Sequence, residues 1–153
     1  EVVFETPERK ITFLAKADRI VVSADGDAHI IDYKTGSVPT KKSVKEGRST
    51  QMLVEAALVP KQGFSQIGKA EPSQLEYWKL RGRGKPVTEI SNVSQPDLDI
   101  EDVYEAMCQL ALRFENEDMA YWSEPDPRTK PAYSDYRHLA RIKEWRAGEA
   151  DNE

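Results

Sequence analysis

Three charged side chains lie on or at the end of short apolar runs early in the sequence. Asp32 and Lys34 end the run Ala28-His29-Ile30-Ile31-Asp32-Tyr33-Lys34, and Thr35-Gly36 then breaks it. Asp18 lies on the preceding apolar segment, with Asp25-Gly26 between the two. Side chains two apart on a strand share a face, so Asp32 and Lys34 project together while Tyr33 points the other way. Asp-Gly between apolar runs signals a hairpin, and folding there brings Asp18 towards Asp32. Two carboxylates and a lysine at a strand end suit a hard divalent cation, which takes oxygen ligands and usually only one or two carboxylates. The lysine is a point charge that can hold an attacking water or a developing anion. An arbitrary Asp-x-Lys is more often a turn cap beside an exposed charge. Here the tripeptide ends a buried-looking strand and faces a second aspartate across a hairpin.

The elements that must position these residues follow from periodicity. Glu1–Glu8 reads as a first strand near an edge, because of Pro7. Lys10–Ser23 reads as a second strand, bent or bulged at Leu14–Ala17, and Ala28–Lys34 as a third. Ser43 or Ser49 is placed to open a helix, and Gln51–Val59 is a strong helix-former run ended by Pro60 and Gly63. Gln51 and Glu55, four apart, share one face of it. Gln74–Arg81 alternates as a half-buried strand does. Arg81–Pro86 is a basic turn, and Val87–Leu98 looks irregular. Asp97 or Asp99 caps a helix over Ile100–Met119 whose stripe of Ile100, Val103, Met107, Leu110, Ala111 and Phe114 faces a core. Glu124–Tyr133, with three prolines, reads as an extended loop, and Asp135–Ala147 as a final short helix. His29 and His138 read as ordinary residues of their elements.

Composition bounds the function. A chain of 153 residues fits one domain with one core. Its net charge of −5 argues against indiscriminate polyanion binding, although a metal offsets acidic charge locally. Cationic residues are bunched at Lys41, Lys42, Lys45 and Arg48, on the segment leaving Asp32 and Lys34, and again at Lys79, Arg81, Arg83 and Lys85. A single cysteine, Cys108, excludes an internal disulfide and leaves no cysteine cluster for zinc or iron–sulfur. No run reaches the apolar length of a membrane span, and no signal peptide is visible. A start at Glu1 without methionine reads as an excised fragment.

Asp18-Arg19-Ile20, then Ile31-Asp32-Tyr33-Lys34-Thr35-Gly36, then Gln51 on a following helix, resemble the RecB-type branch of the PD-(D/E)XK nucleases. The ending Asp135–Trp145 is similar to the C-terminus of AddB subunits of bacterial helicase–nucleases. The resemblance implies an α+β (α/β) fold with a restriction-endonuclease-like central mixed sheet flanked by helices, the fold's N-terminal helix being absent from this stretch. It implies one nuclease domain over 1–153, with 124–153 as a loop and helix packed on the core. Asp18, Asp32 and the backbone carbonyl of Tyr33 match the family's metal ligands, Lys34 its catalytic lysine and Gln51 its glutamine. Thr35, Lys41, Lys42, Lys45 and Arg48 are candidate DNA contacts. The implied cofactor is Mg²⁺ or Mn²⁺; many AddB-like nucleases also carry an iron–sulfur cluster held by cysteines, and with Cys108 alone no cluster is expected here. The implied activity is an exonuclease acting on single strands from unwound DNA ends, in double-strand break resection and recombinational repair. The implied partner is an AddA-like helicase–nuclease in a bacterial cytoplasm, with no membrane. The competing expectation is a catalytically inactive nuclease fold kept as a DNA-binding or scaffolding module. In the family the glutamine is often followed four positions later by tyrosine. Glu55 stands there in this chain, and its role is left open.

Overall fold

A computed structural model describes residues 1–80, 89–94, 99–123 and 138–141. The elements in chain order are β1 (Val2–Glu5), β2 (Lys10–Phe13), β3 (Arg19–Val22), β4 (Asp27–Lys34), α1 (Lys41–Lys45), α2 (Gln51–Leu58), β5 (Glu71–Lys79), β6 (Glu89–Asn92) and α3 (Ile100–Arg113). They all lie in the first of two compact units, Glu1–Glu117; the second is Asp118–Glu153. In the second unit the described residues 138–141 form a turn, with Arg141 at φ 50°. Most of the expected loop and helix over 124–153 lies outside the described residues, as does the basic turn at 81–86.

The sheet that carries Asp32 has the order β3-β4-β5-β6. The pairs β3–β4 and β5–β6 are antiparallel, and β4–β5 is parallel. The fold is therefore α+β with a mixed four-stranded sheet and helices, in keeping with the restriction-endonuclease-like arrangement. Parallel strands require a crossover, and α1 and α2 supply it. β4 is an interior strand and needs apolar residues on both faces. Ile30 and Ile31, 0% and 2% exposed, meet that need, and each contributes about 2 kcal/mol of burial.

The hairpin between β3 and β4 turns at Asp25-Gly26. Gly26 has φ +89°, a backbone region that a side chain disfavours. The expected single strand over Lys10–Ser23 is instead two strands in two sheets. β2 pairs only with β1, whereas β3 pairs with β4. Leu14, 74% exposed, marks the break. Phe13 stacks on Phe4 and meets Tyr104 of α3 edge-on, each at 6.3 Å between centroids, so β2 is held by aromatic contacts away from the main sheet.

α2 consists of good helix formers, Gln-Met-Leu-Val-Glu-Ala-Ala-Leu. It packs on β4, β5 and α3. Met52, Leu53, Ala56, Ala57 and Leu58 are accordingly buried. Gly63 follows where the chain passes close beneath the helix end: a Cβ there would sit 2.8 Å from the Leu58 carbonyl oxygen. α1 was not expected as a separate helix; the hydroxyl of Thr40, not a serine, caps it by accepting from Ser43 N. α3 starts at the expected Asp99 cap, whose side chain accepts from Glu101 N. Its apolar stripe is less buried than expected. Ile100 and Val103 pack on the core, but Leu110 is 52% exposed. β6 falls in the stretch expected to be irregular, and its residue Ile90 is 55% exposed.

Candidate metal centre

Strand alternation sorts β4 into two faces. Ala28, Ile30, Asp32 and Lys34 share the face on which α2 packs, together with Leu75 and Tyr77 of β5 and Ile20 and Val22 of β3. Arg19 pairs with Ile31, and continuing that register by one residue sets Asp18 opposite Asp32. The Asp18 side chain closes on the neighbouring strand: its Oδ2 accepts the backbone N–H of Tyr33 at 3.0 Å. The hairpin thus brings the Asp18 carboxylate to the peptide unit that follows Asp32.

Asp32 is 1% exposed. A carboxylate taken out of water needs compensating charge and hydrogen bonds. Gln51 Nε2 donates to Oδ1 at 2.7 Å. The Lys34 ammonium lies 2.8 Å from Oδ2, but it is not directed so as to form a hydrogen bond with it. Lys34 Nζ donates instead to Gln51 Oε1 at 3.1 Å. The Gln51 amide therefore has its carbonyl on the cation and its NH₂ on the carboxylate. It can do both because Gln51 opens α2, where the helix start meets the end of β4.

The same NH₂ group donates to Glu55 Oε1 at 3.2 Å. Glu55 is 3% exposed, and its Oε2 has no hydrogen-bond partner among the described residues. Burial raises its pKa from the ordinary 4.5 to about 7. The charges of Asp32 and Asp18 add to that rise, while the Gln51 hydrogen bond and Lys34 oppose it. Tyr77, paired with Asp32 across the parallel ladder, is 1% exposed. Its ring lies under the Lys34 ammonium, 5.5 Å from Nζ to centroid. Burial first, and then the charges of Asp32 and Glu55, push its phenol up to about 12.

Glu55 Oε2 has no hydrogen-bond partner among the described residues and Asp32 Oδ2 has the Lys34 ammonium beside it, so both oxygens keep capacity to accept from a hydrated cation. Asp18, Asp32 and the Tyr33 carbonyl are all hard oxygen donors, the type that Mg²⁺ and Mn²⁺ prefer. Among the described residues no group of three or more His, Cys, Asp or Glu is close enough to hold an ion together. A hydrated cation on one or two carboxylates fits this set; a closed cage of protein ligands does not.

The remaining candidates lie off this cluster. Thr35 is exposed, just beyond β4. Lys41, Lys42 and Lys45 lie on α1, and Arg48 follows it. Lys42 and Arg48 form ion pairs with Glu46. His29 belongs to the opposite sheet face, where its Nε2 is 3.1 Å from Glu76 Oε2 and that carboxylate also accepts from Gln74 and Trp78. Tyr33 points to this opposite face as well, edge-on to Trp78 at 6.1 Å. Tyr77 was not singled out in the sequence, because its place depends on a parallel register that local pattern does not encode. Glu55 carried a signal, its spacing of four from Gln51.

The family model of the PD-(D/E)XK nuclease superfamily matches residues 1–136. An uncharacterised protein of Rickettsia typhi is 41% identical over 90 residues, which is 58% of this chain and 10% of that protein. An uncharacterised protein of Rickettsia conorii is 35% identical over 109 residues, 69% of this chain and 13% of that protein. The chain thus spans roughly a tenth of the length of these relatives. No solved structure matches it. Among the described residues no helix is long and apolar enough to cross a membrane.

Proposed function

The chain belongs to the PD-(D/E)XK nuclease superfamily, and on that premise we propose that it is a Mg²⁺- or Mn²⁺-dependent deoxyribonuclease domain of a longer protein. The observation that carries this reading is the joint placement of Asp18, Asp32 and Lys34. The first bonds the peptide N–H of Tyr33 at 3.0 Å, and the third lies 2.8 Å from the second. Asp18, Asp32 and the Tyr33 carbonyl would hold the ion. A divalent ion bound there supplies Lewis-acid polarisation of a phosphoryl oxygen and a water of lowered pKa.

The protein's own groups do the rest. Lys34 holds a positive charge beside Asp32, where negative charge develops on the phosphoryl group under attack. Gln51 fixes that ammonium through its carbonyl and Asp32 through its amide, so both arrive oriented before substrate binds. Tyr77 supports the lysine from beneath. Thr35 lies where the strand ends and leaves the phosphate unobstructed. Lys41, Lys42, Lys45 and Arg48 would track the DNA backbone from the adjoining segment, as phosphate contacts by lysine and arginine do.

The RecB-type branch is the finer assignment we favour, because the glutamine opening the helix reaches both the metal-site aspartate and the lysine. A position within a much longer chain suits an AddB-like subunit. It would act with an AddA-like helicase–nuclease on single strands released at DNA ends, in break repair in a bacterial cytoplasm. The test is cleavage of labelled single-stranded DNA by the full-length protein. Cleavage that needs Mg²⁺ or Mn²⁺, stops with chelator and is lost in a folded Lys34→Ala variant supports the proposal. Cation-independent cleavage, or full activity in Lys34→Ala, contradicts it.

A further inference from the structure

Glu55 is not accounted for by the proposed ligand set. It is a carboxylate on a helix that is apolar apart from Gln51, 3% exposed, between Met52, Leu53, Ala56 and Ala57. A buried polar oxygen without a partner has given up its hydration for nothing and so costs stability. An apolar residue at this position would avoid that cost, so the packing alone does not account for an acid here.

We propose that Glu55 is a positioning residue for the divalent cation: Oε1 fixes the Gln51 amide, and Oε2 accepts a hydrogen bond from a water on the ion. The inference rests on the reading of Asp18 and Asp32 as ligands. Three observations carry it. Gln51 Nε2 donates to both Asp32 Oδ1 and Glu55 Oε1, at 2.7 and 3.2 Å, so one amide joins the two carboxylates. Glu55 Oε2 is a buried oxygen with no hydrogen-bond partner among the described residues, whereas the comparable Asp32 Oδ2 has the Lys34 ammonium at 2.8 Å. The charges of Asp18, Asp32 and Lys34 all act on Glu55, so it lies within electrostatic reach of the whole set. Because Asp18, Asp32 and Glu55 are not grouped closely enough to ligate one ion together, Glu55 acts through the ion's hydration shell. Mg²⁺ keeps several of its waters when bound, and groups that hold a metal's ligands in this way tune its affinity.

The test is Mn²⁺ binding to the full-length protein, titrated by the electron-paramagnetic signal of free Mn²⁺, with wild type, Glu55→Gln and Glu55→Met. Glu55→Gln keeps the donor–acceptor shape without the charge, and Glu55→Met fills the volume without oxygen. Both are expected to weaken Mn²⁺ binding about 10-fold or more. Their thermal midpoints in chelator should equal or exceed that of wild type. Wild-type affinity in either folded variant overturns the inference and leaves the nuclease reading standing. So does a midpoint lowered in chelator with affinity unchanged, since that marks a purely structural role. Absence of Mn²⁺ binding in wild type overturns both, and so separates the two failures.

Discussion

Gln51 Nε2 donates to Asp32 Oδ1 at 2.7 Å, joining the first residue of α2 to a buried carboxylate of β4. The other end of the same amide accepts from Lys34 at 3.1 Å. A neutral side chain thus fixes both members of the Asp32–Lys34 ion pair, which themselves lie 2.8 Å apart. Replacing Gln51 with methionine keeps the helix and removes these two bonds together with the one to Glu55. It leaves Asp32 Oδ1 without its donor, at a cost of about 1–3 kcal/mol. Cleavage by Gln51→Met should fall about 10- to 100-fold in kcat with a smaller change in KM, in steady-state assays with saturating Mg²⁺. An unchanged kcat would remove Gln51 from the account.

Tyr77 offers a ring to Lys34 and buries the hydroxyl end near Asp32 and Glu55. Cation–π support of this kind contributes about 0.5–1 kcal/mol, more where water is excluded. Tyr77→Phe keeps the ring and should retain most activity. Tyr77→Leu should lower kcat about 5-fold, since each 1.36 kcal/mol is tenfold in rate. It should also lower the thermal midpoint, because a fully buried aromatic is truncated. Equal activities in the two variants would show that the ring does not support the lysine.

The raised pKa of Glu55 makes stability depend on pH in the metal-free protein. The folded value of about 7 lies above the ordinary 4.5. The protonated acid is therefore the form the fold favours. Its contribution is fully present below the unfolded value and is lost as pH rises through the folded one. Denaturant unfolding in chelator should show stability falling by roughly 2–3 kcal/mol between about pH 4.5 and pH 7.5 from this group. Glu55→Gln should flatten that decline. A decline that persists unchanged in Glu55→Gln would assign it to other groups.

The hairpin at Asp25-Gly26 was legible because Asp-Gly, the alternation and the apolar run at Ile30-Ile31 all point to one turn. The shared face of Asp32 and Lys34 followed from strand geometry alone. The helix over Gln51–Val59 was legible to within a residue, through its composition and Pro60. What local pattern could not show was everything that depends on packing at a distance. The pairing of Asp32 with Tyr77 depends on a parallel register between strands separated by two helices. The division of Lys10–Ser23 between two sheets depends on Phe13 finding Phe4 and Tyr104. β6 is a short polar edge strand. Its pairing is completed beyond its end by Val93 N donating to Leu75 O at 2.8 Å and by the Ser94 hydroxyl accepting from Leu75 N at 2.7 Å. Glu89–Asn92 has too few apolar residues to announce itself. Leu110 matched the helical period and is still half exposed, because the covered side of α3 runs through Ile100, Val103 and Cys108 and leaves Leu110 off it.

The most direct measurement is anomalous scattering from Mn²⁺ in crystals of the protein soaked with the ion. The account predicts one strong peak within about 2.6 Å of carboxylate oxygens from both Asp18 and Asp32, lost in Asp32→Asn. Strong Mn²⁺ density at other carboxylates, with none at this pair, would contradict it.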